Sequence, residues 1–268
     1  MPLSYAMSGD VSHHVSGGVL RVSVDRAEKR NPLSLGALQQ INEIFTEKAD
    51  DHDLRLAIVT GAGDQAFASG GDLVELADMR SIENARSLTL HGKAALNAIR
   101  RFPVPVVARV NGIALGGGAE LALACDMRFA ASNAAIGFIH SRLAISPSWG
   151  GGVDLMRLVG YGTGTRLLAR GEILPAPKAL AFGLFDEVAP DGVPFDKSFA
   201  DYIAGMVGQS PHVMRAVKAL AVEERLNDLD RRQHVESEHF VKTWTDAAHW
   251  AAVAAMAERP NRAKGSGK

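Results

Sequence analysis

Two glycine-rich turns carry the residues best suited to chemistry. One reads Ala66-Phe67-Ala68-Ser69-Gly70-Gly71-Asp72-Leu73. The other reads Asn111-Gly112-Ile113-Ala114-Leu115-Gly116-Gly117-Gly118-Ala119-Glu120-Leu121. Each follows an apolar run of strand character. The second opens directly into a helical stretch, so its first N–H groups lack partners inside the helix and sit at the positive end of its dipole. Glycine lets a ligand approach such a backbone closely. Two turns of this kind facing each other would offer two N–H donors to one oxygen, an arrangement suited to a carbonyl that becomes an enolate. Helix capping and tight packing could account for either turn alone, but account less well for both. Glu120 follows the second turn by one helical step, in a segment that must bury apolar surface. A carboxylate there needs a reason.

The elements around these turns read as an α/β chain. Residues 11–15 and 19–24 flank Ser16-Gly17-Gly18 as a hairpin, with Leu20, Val22 and Val24 alternating at strand period. A helix is expected over about 34–49, where Leu38, Ile41, Ile44 and Phe45 recur at helical spacing. A buried strand over 54–60 leads to the glycine-containing turn at 66–72. A helix over about 83–102 is stopped by Pro103 and Pro105, and a strand follows over 106–110. A helix from the second turn to about Ala124 precedes short strands over 127–130 and 136–139, and another helix starts at Gly150. The strand–turn–helix unit thus recurs without sequence identity. From about Phe195 the pattern is wholly helical, ending in the Ala-rich stretch 246–258, and residues 262–268 read as disordered. No linker intervenes, so residues 1–194 form the α/β core and 195–268 a helical region that is not an independent domain. The continuous apolar runs fit mostly parallel strands covered by helices.

Composition removes other classes. The 268 residues include 29 Lys+Arg and 30 Asp+Glu, a net charge of -1, which argues against a nucleic-acid binder. The single cysteine, Cys125, excludes an intrachain disulfide and a Cys-rich metal site and fits a reducing compartment, the cytoplasm. Residues 1–10 lack a basic-then-apolar leader, and no uninterrupted apolar run reaches the ~18 residues of a spanning helix, so no membrane association is expected. Gly61-Ala62-Gly63-Asp64-Gln65-Ala66 matches a dinucleotide fingerprint, but it lies after the first helix and opens none. There is no P-loop, no G-x-S-x-G and no H-E-x-x-H. His13 and His14 point to opposite faces of a strand. Trp244 and Trp250 read as packing residues.

The blocks Asn31-Pro32-Leu33, 66–73, 111–120 with Ala124-Cys125-Asp126, and 145–151 together resemble the crotonase (enoyl-CoA hydratase/isomerase) superfamily, in order and spacing over nearly the whole chain. The resemblance implies a spiral of ββα units, C-terminal helices that assemble a homotrimer or a dimer of trimers, and an acyl-CoA substrate whose CoA serves in place of any separate cofactor or metal. It assigns the oxyanion donors to the N–H groups of Gly71 and Gly117. Ala68, Ser69 and Gly71 would hold the adenine through backbone groups, and Asn31 and Leu33 would line the pantetheine path. Lys29 or Arg30, or a neighbouring subunit, would have to meet the CoA phosphates.

Family hydratases place two glutamates around one water. The first matches Glu120. The second position, seven residues before Pro147, holds His140. That departure, with the block 136–151, looks closer to the ethylmalonyl-/methylmalonyl-CoA decarboxylase branch. Histidine also tolerates a substrate carboxylate better than a second glutamate would. The expectation is a lyase that forms an enolate, leaning to decarboxylation of a small 2-alkylmalonyl-CoA. A 2-enoyl-CoA hydratase/isomerase is the alternative, and a catalytically weak acyl-CoA-binding member is the alternative of another class. Lesser expectations are Asp72 as a helix cap, Trp149 packed under a helix start, His91 on the acyl-pocket wall, His140 at a strand end, and Arg142 beside it on the same face if the strand continues.

Overall fold

The computed structural model describes residues 9–258; the stretch 262–268 lies outside them. The chain opens with the antiparallel hairpin of β1 (Val11–Ser16) and β2 (Val19–Val24), then α1 (Leu35–Lys48). Three ββα units follow. The first is β3 (Leu56–Gly61), β4 (Ala66–Ala68) and α2 (Ile82–Arg100). The second is β5 (Val106–Val110), β6 (Ile113–Leu115) and α3 (Gly117–Ala124). The third is β7 (Met127–Ala130), β8 (Ala135–Gly137) and α4 (Gly151–Arg170). After these come β9 (Ile173–Pro175), α5 (Ala176–Ala181) and β10 (Glu187–Val188). The C-terminal helices are α6 (Phe195–Val207), α7 (Pro211–Leu226), α8 (Leu229–Trp244) and α9 (Ala247–Ala257).

The first strand of each unit joins a six-stranded sheet in the order β1-β2-β3-β5-β7-β10, and the second joins a four-stranded sheet in the order β4-β6-β8-β9. Parallel pairing sets Val22 beside Val59, Val59 beside Ala108, and Ala108 beside Arg128. Each unit therefore steps one strand along both sheets at once, which is the spiral. The period-2 rule explains the apolar runs. In β3, Ala57 and Val59 face the main core, while Leu56 and Ile58 face a second cluster under Phe199 and Ile203 of α6. With both faces covered, the strand must be apolar throughout.

Two expectations need correcting, and one stretch without an expected element gains three. The turns at 66–72 and 111–116 each contain a three-residue strand, β4 and β6. Segments this short show no readable alternation, and small residues conceal them. The 171–188 stretch adds β9, α5 and β10. The third short strand stops at Gly137, and a 3-10 turn over Ile139–Leu143 follows, so His140 and the exposed Arg142 do not share a strand face.

Candidate active site

The first turn is held in place by two buried amides. Asn31 Nδ2 donates to the carbonyls of Ala62 and Ala66 (2.9 and 2.8 Å), and Asn111 Nδ2 donates to Gly63 and Ala66 (2.9 and 3.1 Å). Asp72 accepts from Val74 N and Glu75 N and pairs with Arg26 at 2.8 Å, the capping role its position implies. Leu33 pairs with the turn as an isolated parallel bridge: Leu33 N donates to Gly70 O, and Asp72 N donates to Leu33 O. That bridge consumes the polar groups on either side of Gly71 and leaves the Gly71 N–H on the opposite side of the backbone. The second turn lies directly against the first. A Cβ on Gly118 would fall 2.0 Å from Ala68 O, and one on Gly70, whose φ is 106°, would fall 3.1 Å from Leu115 O of the second turn. Only glycine allows this approach. The N-terminus of α3 has Gly116 at its cap and no side chain accepting from it among the described residues.

Gly71, Gly117, Ser69, Glu120 and His140 line one cavity of ≈ 120 Å³. Its floor is Trp149, whose ring packs so tightly under α2 and α3 that a Cβ on Gly92 would come within 2.1 Å of it and one on Gly117 within 2.3 Å. Phe240 and Trp244 of α8 and Met256 of α9 close the other side. Trp244 is therefore both a packing residue and a wall of the cavity, which its helical spacing did not reveal.

Glu120 is 1 % exposed and His140 7 %. They meet at the back of the cavity, with Oε1 of Glu120 3.2 Å from Nε2 of His140. The other carboxylate oxygen, Oε2, accepts from Trp149 N and Gly151 N, both at 2.9 Å. The charge of a buried carboxylate is thus met by the first turn of α4. A Cβ on Gly151 would lie 2.3 Å from Glu120 Cγ. Among the described residues, His140 Nδ1 is buried without a hydrogen-bond partner.

A second glutamate, Glu236 on α8, reaches the same helix start. It accepts from Gly150 N and, at 2.9 Å, from Gly152 N. Burial, and next the neighbouring Glu120, push its carboxyl up to about 8. Behind it the fully buried Arg100 donates to Trp149 O at 3.0 Å and pairs with Asp154 at 2.8 Å. Neither residue stands out in the sequence. Glu236 sits in Val-Glu-Ser-Glu-His, where it reads as one charge among several on a helix surface. Arg100 reads as an ordinary basic residue in a last helical turn.

Other expected positions fall outside the cavity wall. Asn31, Leu33 and Ala68 are buried behind it, while Lys29 and Arg30 are exposed. His91 is not a wall residue; its Nδ1 lies 2.8 Å from Ser87 O on its own helix. Asp126 accepts from Val106 N and is bonded to Lys218 and Arg225, so it ties the core to α7. Cys125 is buried, and desolvation, helped by Asp126, pushes its thiol up to about 12, which removes it from nucleophilic chemistry.

Comparison with known proteins places this geometry. The sequence profile of the enoyl-CoA hydratase/isomerase family matches residues 14–262. A crotonyl-CoA hydratase of Syntrophomonas wolfei is 35% identical over 219 residues, 81% of this chain and 83% of that protein. A mitochondrial methylglutaconyl-CoA hydratase of Rattus norvegicus is 32% identical over 253 residues, 92% of this chain and 80% of that one. Among solved structures, an enoyl-CoA hydratase from Mycobacterium avium subsp. paratuberculosis superposes with a TM-score of 0.84 at 25% identity, over 93% of this chain and 100% of that one. The two facing glycine turns, the buried glutamate after the second, and the spiral that brings them together are those of a chain that belongs to the enoyl-CoA hydratase/isomerase family.

Proposed function

We propose that the chain hydrates a short 2-enoyl-CoA. The observation that carries this reading is the Glu120–His140 contact of 3.2 Å at the back of a cavity whose other wall is made by Gly71 and Gly117. The thioester oxygen accepts from the N–H groups of Gly71 and Gly117. As the water oxygen bonds to C3, the C2–C3 π pair moves onto the thioester and the enolate charge settles on that oxygen. Donors fixed before the reaction stabilise this charge without reorganising. The Glu120–His140 pair takes one proton from the water and gives one proton to C2, so it ends as it began. The hydrogen bond between Oε1 and Nε2 is the path that restores it. The small cavity and its Trp149 floor support a short acyl group. Bound CoA would run past the Ser69–Gly71 backbone, with the exposed Lys29 and Arg30 available to its phosphates.

His140 in place of a second glutamate keeps decarboxylation as a second reading. There a 2-carboxyacyl thioester loses CO2 to the same enolate, and the pair protonates C2. The hydratase names of the relatives move the balance to hydration. Assembly as a homotrimer belongs to the same reading. Val213, Val217 and Leu220 leave one apolar face of α7 exposed, which a neighbouring copy would cover.

The test is a side-by-side assay of crotonyl-CoA, methylmalonyl-CoA and ethylmalonyl-CoA. Hydration of the first without CO2 release from the others is expected. CO2 release alone would replace this reading with decarboxylation, and tight binding without turnover of any of them would replace it with acyl-CoA binding.

A further inference from the structure

We infer that Glu236 is a positioning residue for this site: by holding two of the four amides at the start of α4, it confines Glu120 to the other two and so fixes the Glu120–His140 pair. The inference rests on the proposed hydratase reading for its kinetic consequence, but not for its geometry.

The four amides alternate between two owners. Trp149 N and Gly151 N go to Glu120 Oε2, and Gly150 N and Gly152 N go to Glu236. A helix start offers about half a positive charge. That is too little for two carboxylates, so one of them is expected to carry a proton, much as two carboxyls sharing a site do. Glu236 is the group pushed up, to about 8, by burial and by Glu120. The remaining charges around it are accounted for. From α2 come Arg100, which is committed to Asp154 of α4, and Lys93, which donates to Gln233 O. From α3 comes Glu120 itself. Without Glu236, two amides on the same turn lose their acceptor. Glu120 then has competing positions to adopt, and His140, held through Oε1, moves with it. When Glu236 ionises instead, a second negative charge stands beside a site that must stabilise an enolate, which opposes turnover.

The test compares the wild type with Glu236→Gln and Glu236→Ala. Glutamine keeps one acceptor oxygen, enough for one of the two amides, and cannot ionise. The wild type should lose kcat as pH rises through about 8, with KM little changed. Glu236→Gln should lose that basic limb, whatever its activity at neutral pH. Glu236→Ala should drop kcat by roughly tenfold at constant KM, as expected of a misplaced acid–base group. An unchanged basic limb in Glu236→Gln would overturn the proposal, and so would a Glu236→Ala variant with wild-type kcat. A second readout needs no turnover. Infrared or carbon-13 titration of the wild-type carboxyls should find one group titrating near 8, and in Glu120→Gln that step should fall. The absence of any such step overturns the proposal by itself. A wild type that shows the step but hydrates nothing would sink the hydratase reading and leave the pairing of the two carboxylates standing.

Discussion

The helices α3 and α4 both begin at a glycine with positive φ, Gly116 at 53° and Gly150 at 87°, and both follow the short strands of a ββα unit. At α3 Gly116 and Gly117 line the cavity, and no side chain caps the helix start among the described residues. At α4 each amide from Trp149 to Gly152 is bonded to a carboxylate. The same backbone device is left uncapped by side chains in one place and filled from within in the other. The filled end has a purpose. It fixes Glu120, which grows from α3 but is oriented by α4, so the Glu120–His140 pair is positioned by two helices rather than one.

The largest effect expected on this comparison comes from Glu120→Gln. Replacing the carboxylate that grows from α3 and is bonded at the start of α4 should lower turnover of whichever substrate is used by roughly 10²–10⁴-fold, the usual worth of a positioned acid–base group. Single-turnover kinetics on folded variant would measure it. Wild-type turnover would mean that the two ends are coupled for stability alone.

Next is the support behind the filled end. Arg100→Met takes one of two partners from the buried Asp154, which keeps Arg225 at 3.1 Å, and removes the donor to Trp149 O. Breaking one side of a buried pair costs roughly 3–5 kcal/mol when the charge left behind has no other partner, so a loss of about 2–3 kcal/mol is expected here. Urea unfolding should read that loss directly. A loss below about 1 kcal/mol, the range of surface pairs, would show that α4 holds its start without Arg100.

Gly151→Ala presses on the contact itself. The new Cβ would sit 2.3 Å from Glu120 Cγ, so Glu120 or the turn must shift, at about 1–3 kcal/mol. Activity should fall further than stability, because Glu120 is displaced from Nε2 of His140. Equal losses in both would argue that Glu120 can be re-aimed at no catalytic cost.

The two helix starts were not equally legible in the sequence. The open end was, because it is local: consecutive glycines ahead of an apolar helix, with Glu120 one turn on, announce exposed amides and a buried carboxylate together. His140 was reached through the family resemblance, whose second acid–base position falls seven residues before Pro147, although its 3-10 turn was not, since a turn of five residues has no period to read. The filled end was illegible. Its acceptor comes from α8, 84 residues beyond Gly152, and a glutamate that reaches across the fold has the same local pattern as one facing water. The same holds for Arg100. Long-range polar partners are chosen by topology, and topology is what a single pass along the chain supplies least.

The pH dependence of stability separates the two ends without a substrate. Glu236 is pushed from the ordinary 4.5 up to about 8 in the folded state. Between those values the unfolded chain gives up this proton while the folded chain keeps it. The stabilisation is complete below 4.5, is lost as pH rises, and is gone above about 8. Urea midpoints of the wild type should therefore fall across that window, and those of Glu236→Gln should fall less. Parallel slopes would mean that the carboxylates of the filled end do not share a proton.

The smallest effect is expected where a helix start is ordinary. α2 is capped by Ser81, whose hydroxyl accepts from Asn84 N at 3.1 Å at an exposed position. Ser81→Ala removes one acceptor from one amide and should cost about 1 kcal/mol. That residue neither lines the cavity nor touches α3 or α4, so kcat and KM should hold while the unfolding midpoint drops slightly. The ratio of this small loss to that of Gly151→Ala is the sharpest form of the comparison. Both changes disturb a helix N-terminus by a single side-chain group. Only the second does so where the helix start also holds Glu120, so only the second should carry its cost into the rate. If Ser81→Ala slowed turnover as much as Gly151→Ala, the start of α4 would have no special claim on Glu120, and its glycines would be packing residues like any others.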